Sequence, residues 1–181
     1  DVDYVSSRYW QTTLLSLVES YNWNVALSRA LSHPHEASSR GPRGRTALHV
    51  ACEHDAPAIL VEALLSAYPE ASSMVGTSDM TPLHITCSSQ NASVDVVQVL
   101  LGGSVTGSET AARDIDGDTP LHAACRCGAP IEVLEVLLEK DPSVVCDRDN
   151  EGLTPLLRLW VRYFVTLGDD VIDSVRCAAD L

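Results

Sequence analysis

Four short segments of this chain are near copies of one another. They read TALHVAC from Thr46, TPLHITC from Thr81, TPLHAAC from Thr119 and TPLLRLW from Thr154. Their threonines are 35, 38 and 35 residues apart (81 − 46, 119 − 81 and 154 − 119). A period of this size indicates stacked supersecondary units, each of which is too small to bury a core alone.

Each copy has the composition of a helix start. Thr is a good N-cap because its hydroxyl accepts a hydrogen bond from an unpaired helix N–H, and Pro suits the first helical position. A second apolar block with helical spacing follows each of the first three copies, at 59–65, 94–101 and 131–138. Asp and Gly then cluster at 114–117 and 149–152, which predicts turns. Each unit is therefore predicted to be helix, short turn, helix, long turn.

In these residues the chain resembles the ankyrin-repeat family, and a weaker copy begins at Thr13, 33 residues before Thr46 (46 − 13). The resemblance implies an all-α ankyrin-repeat solenoid of stacked helix-turn-helix units with long turn or hairpin fingers. We interpret 1–181 as a single domain of about five units. These are an atypical N-terminal unit (unit 1, 1–40), three repeats (units 2 to 4, 41–76, 77–114 and 115–149) and an atypical or truncated C-terminal unit (unit 5, 150–181).

The chain departs from the family pattern in several places. Asp55 and Asp79 stand where the pattern has Gly, and Leu157 replaces the His of the other copies. Unit 3 is three residues longer than its neighbours (38 − 35), and its segment 102–110 is rich in Gly, Ser and Thr. We expect that segment to be a mobile finger, since Gly and small polar residues raise the entropy lost on ordering.

Composition narrows the class of partner. The formal net charge of −13 argues against nucleic acid, which needs a basic face. No apolar run reaches the roughly 18 residues of a membrane span, so we expect no membrane insertion by this segment.

The six cysteines recur at helical positions, which favours reduced thiols and an intracellular, cytoplasmic location. Because the chain starts at Asp1 and ends inside a helical pattern, we expect it to belong to a longer protein.

No motif for catalysis or for a cofactor is present. The chain lacks a Gly-rich phosphate loop, a nucleophile elbow and a zinc-protease helix, so we predict that it is not an enzyme and needs no cofactor. A His and a Cys three residues apart could ligate zinc, as at His49 and Cys52, His84 and Cys87, and His122 and Cys125. The resemblance instead implies a His bonded to turn backbone and a Cys in the core. Metal binding is kept as the weakest hypothesis.

The resemblance implies a binding surface made of the finger tips and the first helix of each unit. In this chain those positions are Pro42, Arg43, Arg45, Glu53, His54, Thr77, Ser78, Met80, Ser88, Ser89, Ile115, Asp116, Asp118, Arg126, Cys127, Asn150, Glu151 and Leu153. We expect Arg43, Asp116 and Asp118 to be exposed. The basic run Arg40, Arg43 and Arg45 is either a contact for an acidic peptide or a solvated loop.

Two hypotheses of function follow, the first from this surface and the second from the expectation of a longer protein. The preferred hypothesis is a protein–protein interaction module, a scaffold or adaptor that binds another protein. The alternative is a regulatory or targeting ankyrin domain of a larger enzyme, channel or ubiquitin ligase. The residues do not indicate a particular partner.

Overall fold

The computed structural model describes residues 13–103 and 107–164, and this part of the chain contains helices and no strand. The first helices of the units are α1 (Leu14–Glu19), α3 (Ala47–Glu53), α5 (Pro82–Cys87), α7 (Pro120–Cys127) and α9 (Pro155–Phe164). The second helices are α2 (Trp23–Ser32), α4 (Ala58–Ala67), α6 (Val94–Gly102) and α8 (Ile131–Lys140). Short 3-10 helices lie in the connections, at Pro34–Ser38, Pro42–Gly44, Pro69–Ser73, Thr77–Asp79, Glu109–Ala111 and Pro142–Cys146.

The helices form two rows. Each first helix packs on the first helix of the next unit, from α1 to α9, and each second helix packs on the next second helix, from α2 to α8. The two helices of a unit also pack against each other. Each unit therefore buries its apolar side chains against its neighbours, and the predicted all-α solenoid is confirmed.

The repeated Thr-x-x-His segment starts the first helix through reciprocal hydrogen bonds. The N–H of His84 donates to Thr81 Oγ1 (3.4 Å), and the N–H of Thr81 donates to His84 Nδ1 (3.3 Å). The other ring nitrogen of His84, Nε2, donates to the carbonyl of Asp118 in the following finger (3.0 Å). His49 and His122 do the same with the carbonyls of Met74 and Leu153, both at 3.1 Å. In units 2 to 4, one side chain therefore ties the start of the first helix to the next finger.

The core is continuous along the stack. Leu48, Leu83 and Leu121 follow the capping threonines at the same position in successive units, and all three are buried. Small residues such as Ala51 and Ala124 are buried further along the first helices, where they let neighbouring helices approach closely. The cysteines of the repeated segment, Cys52, Cys87 and Cys125, are also buried, and no disulfide joins the described cysteines.

The two Asp residues at family Gly positions adopt the backbone that Gly provides elsewhere. Asp55 has φ of +51° and Asp79 has φ of +57°, while Gly128, in the position of Asp55, has φ of +74°. Asp is among the few side chains that tolerate this left-handed region, so the turn survives the substitution.

The expected finger at 102–110 is anchored at its end. Glu109 and Thr110 are buried: Ser72 Oγ donates to Glu109 Oε1 (3.2 Å), and Thr110 Oγ1 donates to Asp141 Oδ2 (3.2 Å). The prediction of a mobile finger is therefore wrong for these two residues, because the bonds hold them to units on both sides. Residues 104–106 lie outside the described part of the chain.

Candidate functional site

The fingers are held in shape by carboxylates that accept backbone hydrogen bonds. Asp114 Oδ1 accepts from the N–H groups of Asp116 and Asp118, both at 2.9 Å. Asp149 repeats this arrangement one unit later with Glu151 (2.8 Å) and Leu153 (3.0 Å). These bonds make each of the two fingers a fixed turn, which confirms the turn predicted from Asp and Gly at both positions.

Neighbouring fingers are also bonded to one another. The N–H of Ile115 donates to the carbonyl of Ser78, and the N–H of Asn150 donates to the carbonyl of Asp116, both at 3.0 Å. The Asn150 side chain adds a bond from Nδ2 to the carbonyl of Ile115 (3.1 Å). The finger tips of units 3 to 5 thus form one continuous row, whose positions are set before any partner arrives.

A groove of about 380 Å³ lies where the fingers of units 2 and 3 face the first helices. Most of its lining was predicted from the sequence as a contact surface, namely Arg43, Arg45, Glu53, Thr77, Ser78, Met80, Ser88 and Ser89. The structure brings these residues of two units into one concave site.

Sequence reasoning missed two residues of this groove, Cys52 and Ile85. Ile85 occupies the position of Val50 in unit 2 and Ala123 in unit 4, and it is half-buried. The sequence signal that could have identified Ile85 is a large apolar side chain at a position that Ala fills in the next unit. The Ile85 side chain gives the groove an apolar surface beside the polar fingers.

A second, smaller depression of about 250 Å³ adjoins the first, between units 1 and 2. Its lining includes Leu15 and Val50 with the finger residues Pro42, Arg43 and Arg45. Because Arg43 and Arg45 line both depressions, this finger forms a basic ridge between them.

The two arginines of the ridge differ in their partners. Arg45 forms an ion pair with Glu53 across the groove wall. Arg43 is exposed and makes no ion pair within the described part of the chain. Arg43 also has φ of +63°, which fixes the finger in a left-handed turn at this residue.

His54, another predicted contact residue, is engaged inside the chain. The Tyr21 hydroxyl lies 3.1 Å from His54 Nδ1, and the two rings are 4.7 Å apart. This contact joins the turn of unit 1 to the end of α3, and it leaves His54 half-buried at the edge of the surface.

The predicted surface continues over units 4 and 5. Ile115, Asp116, Asn150 and Glu151 are exposed on the finger row, and Cys127 is half-buried at the end of α7. Arg126 lies beside them, with Nη1 3.9 Å from Asp116 Oδ2 and Nη2 3.1 Å from Asp118 Oδ2. Acidic and basic groups are therefore paired here.

Two predicted contact residues prove to be interior. Leu153 is 7% exposed, and its carbonyl accepts the hydrogen bond from His122. Asp118, expected on an exposed finger, is 0% exposed, because the Asp114 turn folds its side chain in between Arg126 and Arg158. Within the described residues neither carboxylate oxygen of Asp118 accepts a hydrogen bond, and burial raises the pKa of this group.

Arg158 is a further residue that sequence reasoning missed. It stands in α9 at the position of Ala123 in α7, and its Nε donates to Asp149 Oδ2 at 2.6 Å. Its Nη1 lies 3.3 Å from Glu151 Oε2. The sequence signal for Arg158 is an Arg at a position where the earlier copies have apolar residues. The Arg158 side chain holds the last described finger against α9.

The histidine and cysteine pairs do not form a metal site. Both ring nitrogens of His49, His84 and His122 are engaged in the hydrogen bonds given above, so neither has a lone pair to offer a metal. Burial lowers the pKa of His49 to about 4, which keeps its ring neutral. Burial raises the pKa of Cys52 to about 12, which keeps it a thiol. Among the described residues no group of three or more such ligands could hold an ion.

A comparison with protein families assigns the chain to a family. A profile for ankyrin repeats, spanning three copies, matches residues 14–114 and 87–159. The protein belongs to the ankyrin-repeat family, as the repeated segments indicated.

Among curated proteins, the chain is similar to the tyrosine-protein kinase HTK16 of Hydra vulgaris. The two sequences are 34% identical over 113 residues, which is 61% of this chain and 14% of the relative. The chain thus matches only a small part of that kinase.

The described helices were also compared with the requirements of a membrane span. None of those in 13–103 and 107–164 is long and apolar enough to cross a bilayer.

Proposed function

We propose that this domain binds a partner protein through its finger tips and first helices and supplies no catalytic chemistry itself. Ankyrin repeats mediate protein–protein interaction in general. The observation that carries the proposal is the groove of units 2 and 3, where predicted contact residues from two fingers and two first helices line one concave site.

The groove has the composition of a protein-binding surface. The apolar side chains Met80 and Ile85 in its lining are half-buried, whereas Thr77, Ser78 and Arg43 are exposed. An apolar centre with a polar rim is the usual anatomy of an interface. Because hydrogen bonds fix the finger of unit 4 on that of unit 3, part of the surface is already ordered and binding loses less entropy.

Selection from a phage-displayed library of random 12-residue peptides tests the proposal. We expect the selected peptides to lose binding to the Met80→Glu variant, because a carboxylate replaces an apolar side chain that a bound peptide would cover. The matched control is Glu132→Arg, which changes an exposed residue of α8 on the second-helix row. Thermal unfolding of both variants checks that the fold is kept.

The proposal is wrong if no peptide is enriched over an unrelated helical protein. It is also wrong if the selected peptides bind Met80→Glu normally and are lost on Glu132→Arg, since that result places the site on the second helices.

A second candidate is a regulatory or targeting domain within a larger protein, and the similarity to HTK16 favours it. HTK16 is named a tyrosine-protein kinase, and the matched segment is 14% of its length. The full-length sequence tests this candidate. A kinase domain in the same chain would support it, and a full-length chain without any catalytic or channel domain would contradict it.

A further inference from the structure

The finger of unit 2 carries an arginine, Arg43, that forms no ion pair with a described residue. Arg45 is paired with Glu53, but Arg43 extends from the ridge without an ion pair within the described part of the chain. Arg40 is a third arginine on this connection, and it is also exposed. A basic site stands out in a chain whose formal net charge is −13.

The positive charges of this finger also act on the buried ring of His49. Burial lowers the pKa of His49 to about 4, and the charges of Arg45 and Arg40 act in the same direction. A positive potential at this position favours an anionic group on the ridge over a cationic one.

Apolar contact lies mainly on one side of the ridge. The groove of units 2 and 3 is lined by Met80 and Ile85, which are both half-buried. The depression of units 1 and 2 is mostly polar, because Glu19 lines it beside Leu15 and Val50 is only 2% exposed. Arg43 lines both. The arrangement is one guanidinium at the edge of one apolar groove.

We propose that this ridge binds an extended acidic segment of the partner, with a carboxylate on Arg43 and an apolar side chain in the groove of units 2 and 3. This inference rests on the proposed function and names the chemistry of the partner. Neighbouring units are about 10 Å apart, by the usual packing distance of helices. An extended peptide rises about 3.3 Å per residue, with alternate side chains on one face. The acidic residue and the apolar residue are therefore two positions apart, in the pattern acidic, any, apolar or its reverse.

The same phage-displayed library tests this inference through the composition of its selected peptides. We expect enrichment of Asp or Glu with an apolar residue two positions away on one side. The protein variant is Arg43→Asn, because Asn tolerates the φ of +63° and removes the charge alone. The matched control is Lys140→Asn, which removes a positive charge from an exposed site at the end of α8.

For the most enriched peptide, we expect Arg43→Asn to raise the Kd about fivefold, as for one partly exposed ion pair. Lys140→Asn should leave the Kd within about twofold. Changing the acidic residue of the peptide to its amide should cost the same fivefold on the wild-type protein and nothing on Arg43→Asn. This cycle isolates the pair from other effects.

Neutral or basic selected peptides would overturn the inference, and so would acidic peptides with the same Kd for Arg43→Asn and wild type. If such peptides still lose binding to Met80→Glu, the proposed function stands and only the acidic partner is wrong. If nothing is selected at all, both fall.

Discussion

Single side chains connect one unit of this protein to the next. Each His of the repeated segment caps its own helix through Nδ1 and holds the following finger through Nε2. The segment Thr-x-x-His allowed the helix start and the bond to turn backbone to be predicted from sequence. The burial of Asp118 could not be predicted, because it depends on Arg126 and on Arg158 of the next unit.

The buried neutral ring of His49 makes stability depend on pH. Its pKa is about 4 in the folded protein, below the ordinary value of 6.5, so only the unfolded chain takes up a proton between these values. Stability should therefore fall as the pH drops from about 6.5 towards 4, by about 2 kcal/mol at pH 5. Urea unfolding of wild type and His49→Gln at pH 7.5 and pH 5 measures this. The difference in free energy of unfolding between wild type and His49→Gln should shrink by that amount at pH 5. An unchanged difference would contradict the buried neutral ring.

The buried carboxylate of Asp118 should make stability change with pH in the opposite direction. Burial raises its pKa in the folded protein, so its ionisation lowers stability as the pH rises from the unfolded value near 3.8 through the raised folded value. Relative to Asp118→Asn, which cannot ionise, wild type should therefore lose stability between pH 4 and pH 7. Urea unfolding checks this, with the exposed Asp116→Asn as a control expected within about 0.5 kcal/mol of wild type. A variant less stable at pH 7 than at pH 4, relative to wild type, would show that the carboxylate is a stabilising ion pair.

The cysteines should differ in their reactivity with thiol reagents according to their burial. Burial raises the pKa of Cys52 to about 12 and of Cys125 to about 11, and it also raises the pKa of Cys87, whereas Cys146 is exposed. In the native protein at pH 8, a thiol reagent should react quickly with Cys146 and only on unfolding with the three buried residues. All six should titrate in unfolded, unreduced protein; Cys177 is among them but lies outside the described residues. Two or fewer free thiols would contradict the predicted reduced state.

At the scale of the elements, the fingers carry most of what sequence reasoning left open. Asp and Gly predict a turn, and the turn forms with Asp114 and Asp149 as acceptors. The bonds between fingers could not be predicted, because they join the backbone of Ile115 to that of Ser78 and carry no side-chain signature. The anchored Glu109 was missed for a similar reason, since its partner Ser72 lies in the preceding unit.

Two glycines of these fingers allow a matched test of finger stacking. Gly117 and Gly152 have almost the same φ, +76° and +79°, so an added side chain is equally strained in both. A Cβ on Gly117 would lie 2.9 Å from the backbone N of Asn150, whereas a Cβ on Gly152 has nothing within 4 Å. Gly152→Ala should cost about 1 kcal/mol. Gly117→Ala should cost at least about 1 kcal/mol more, because the next finger must shift. Equal losses in urea unfolding would show that the fingers are not closely stacked.

At the scale of the whole molecule, the stack turns a repeated sequence into a surface that is not repeated. The family resemblance placed the contact residues on fingers and first helices, and most of them line the groove or the finger row. It could not show that Ile85 lines the groove of units 2 and 3, because the same position holds Val50 in unit 2 and Ala123 in unit 4. Nor could it show that Arg43 lines both the groove and the smaller depression, which only the packing of three units reveals.

The most direct test of the central claim, that partners bind to the fingers and first helices, is to map where a selected peptide touches the protein. Amide chemical-shift changes on adding the most enriched peptide would be recorded for the ¹⁵N-labelled protein. We predict that the largest changes fall at residues 41–54 and 77–89, which contain the fingers and first helices of units 2 and 3. Changes confined to the second helices α4, α6 and α8 would contradict the account, because the partner would then lie on the opposite row.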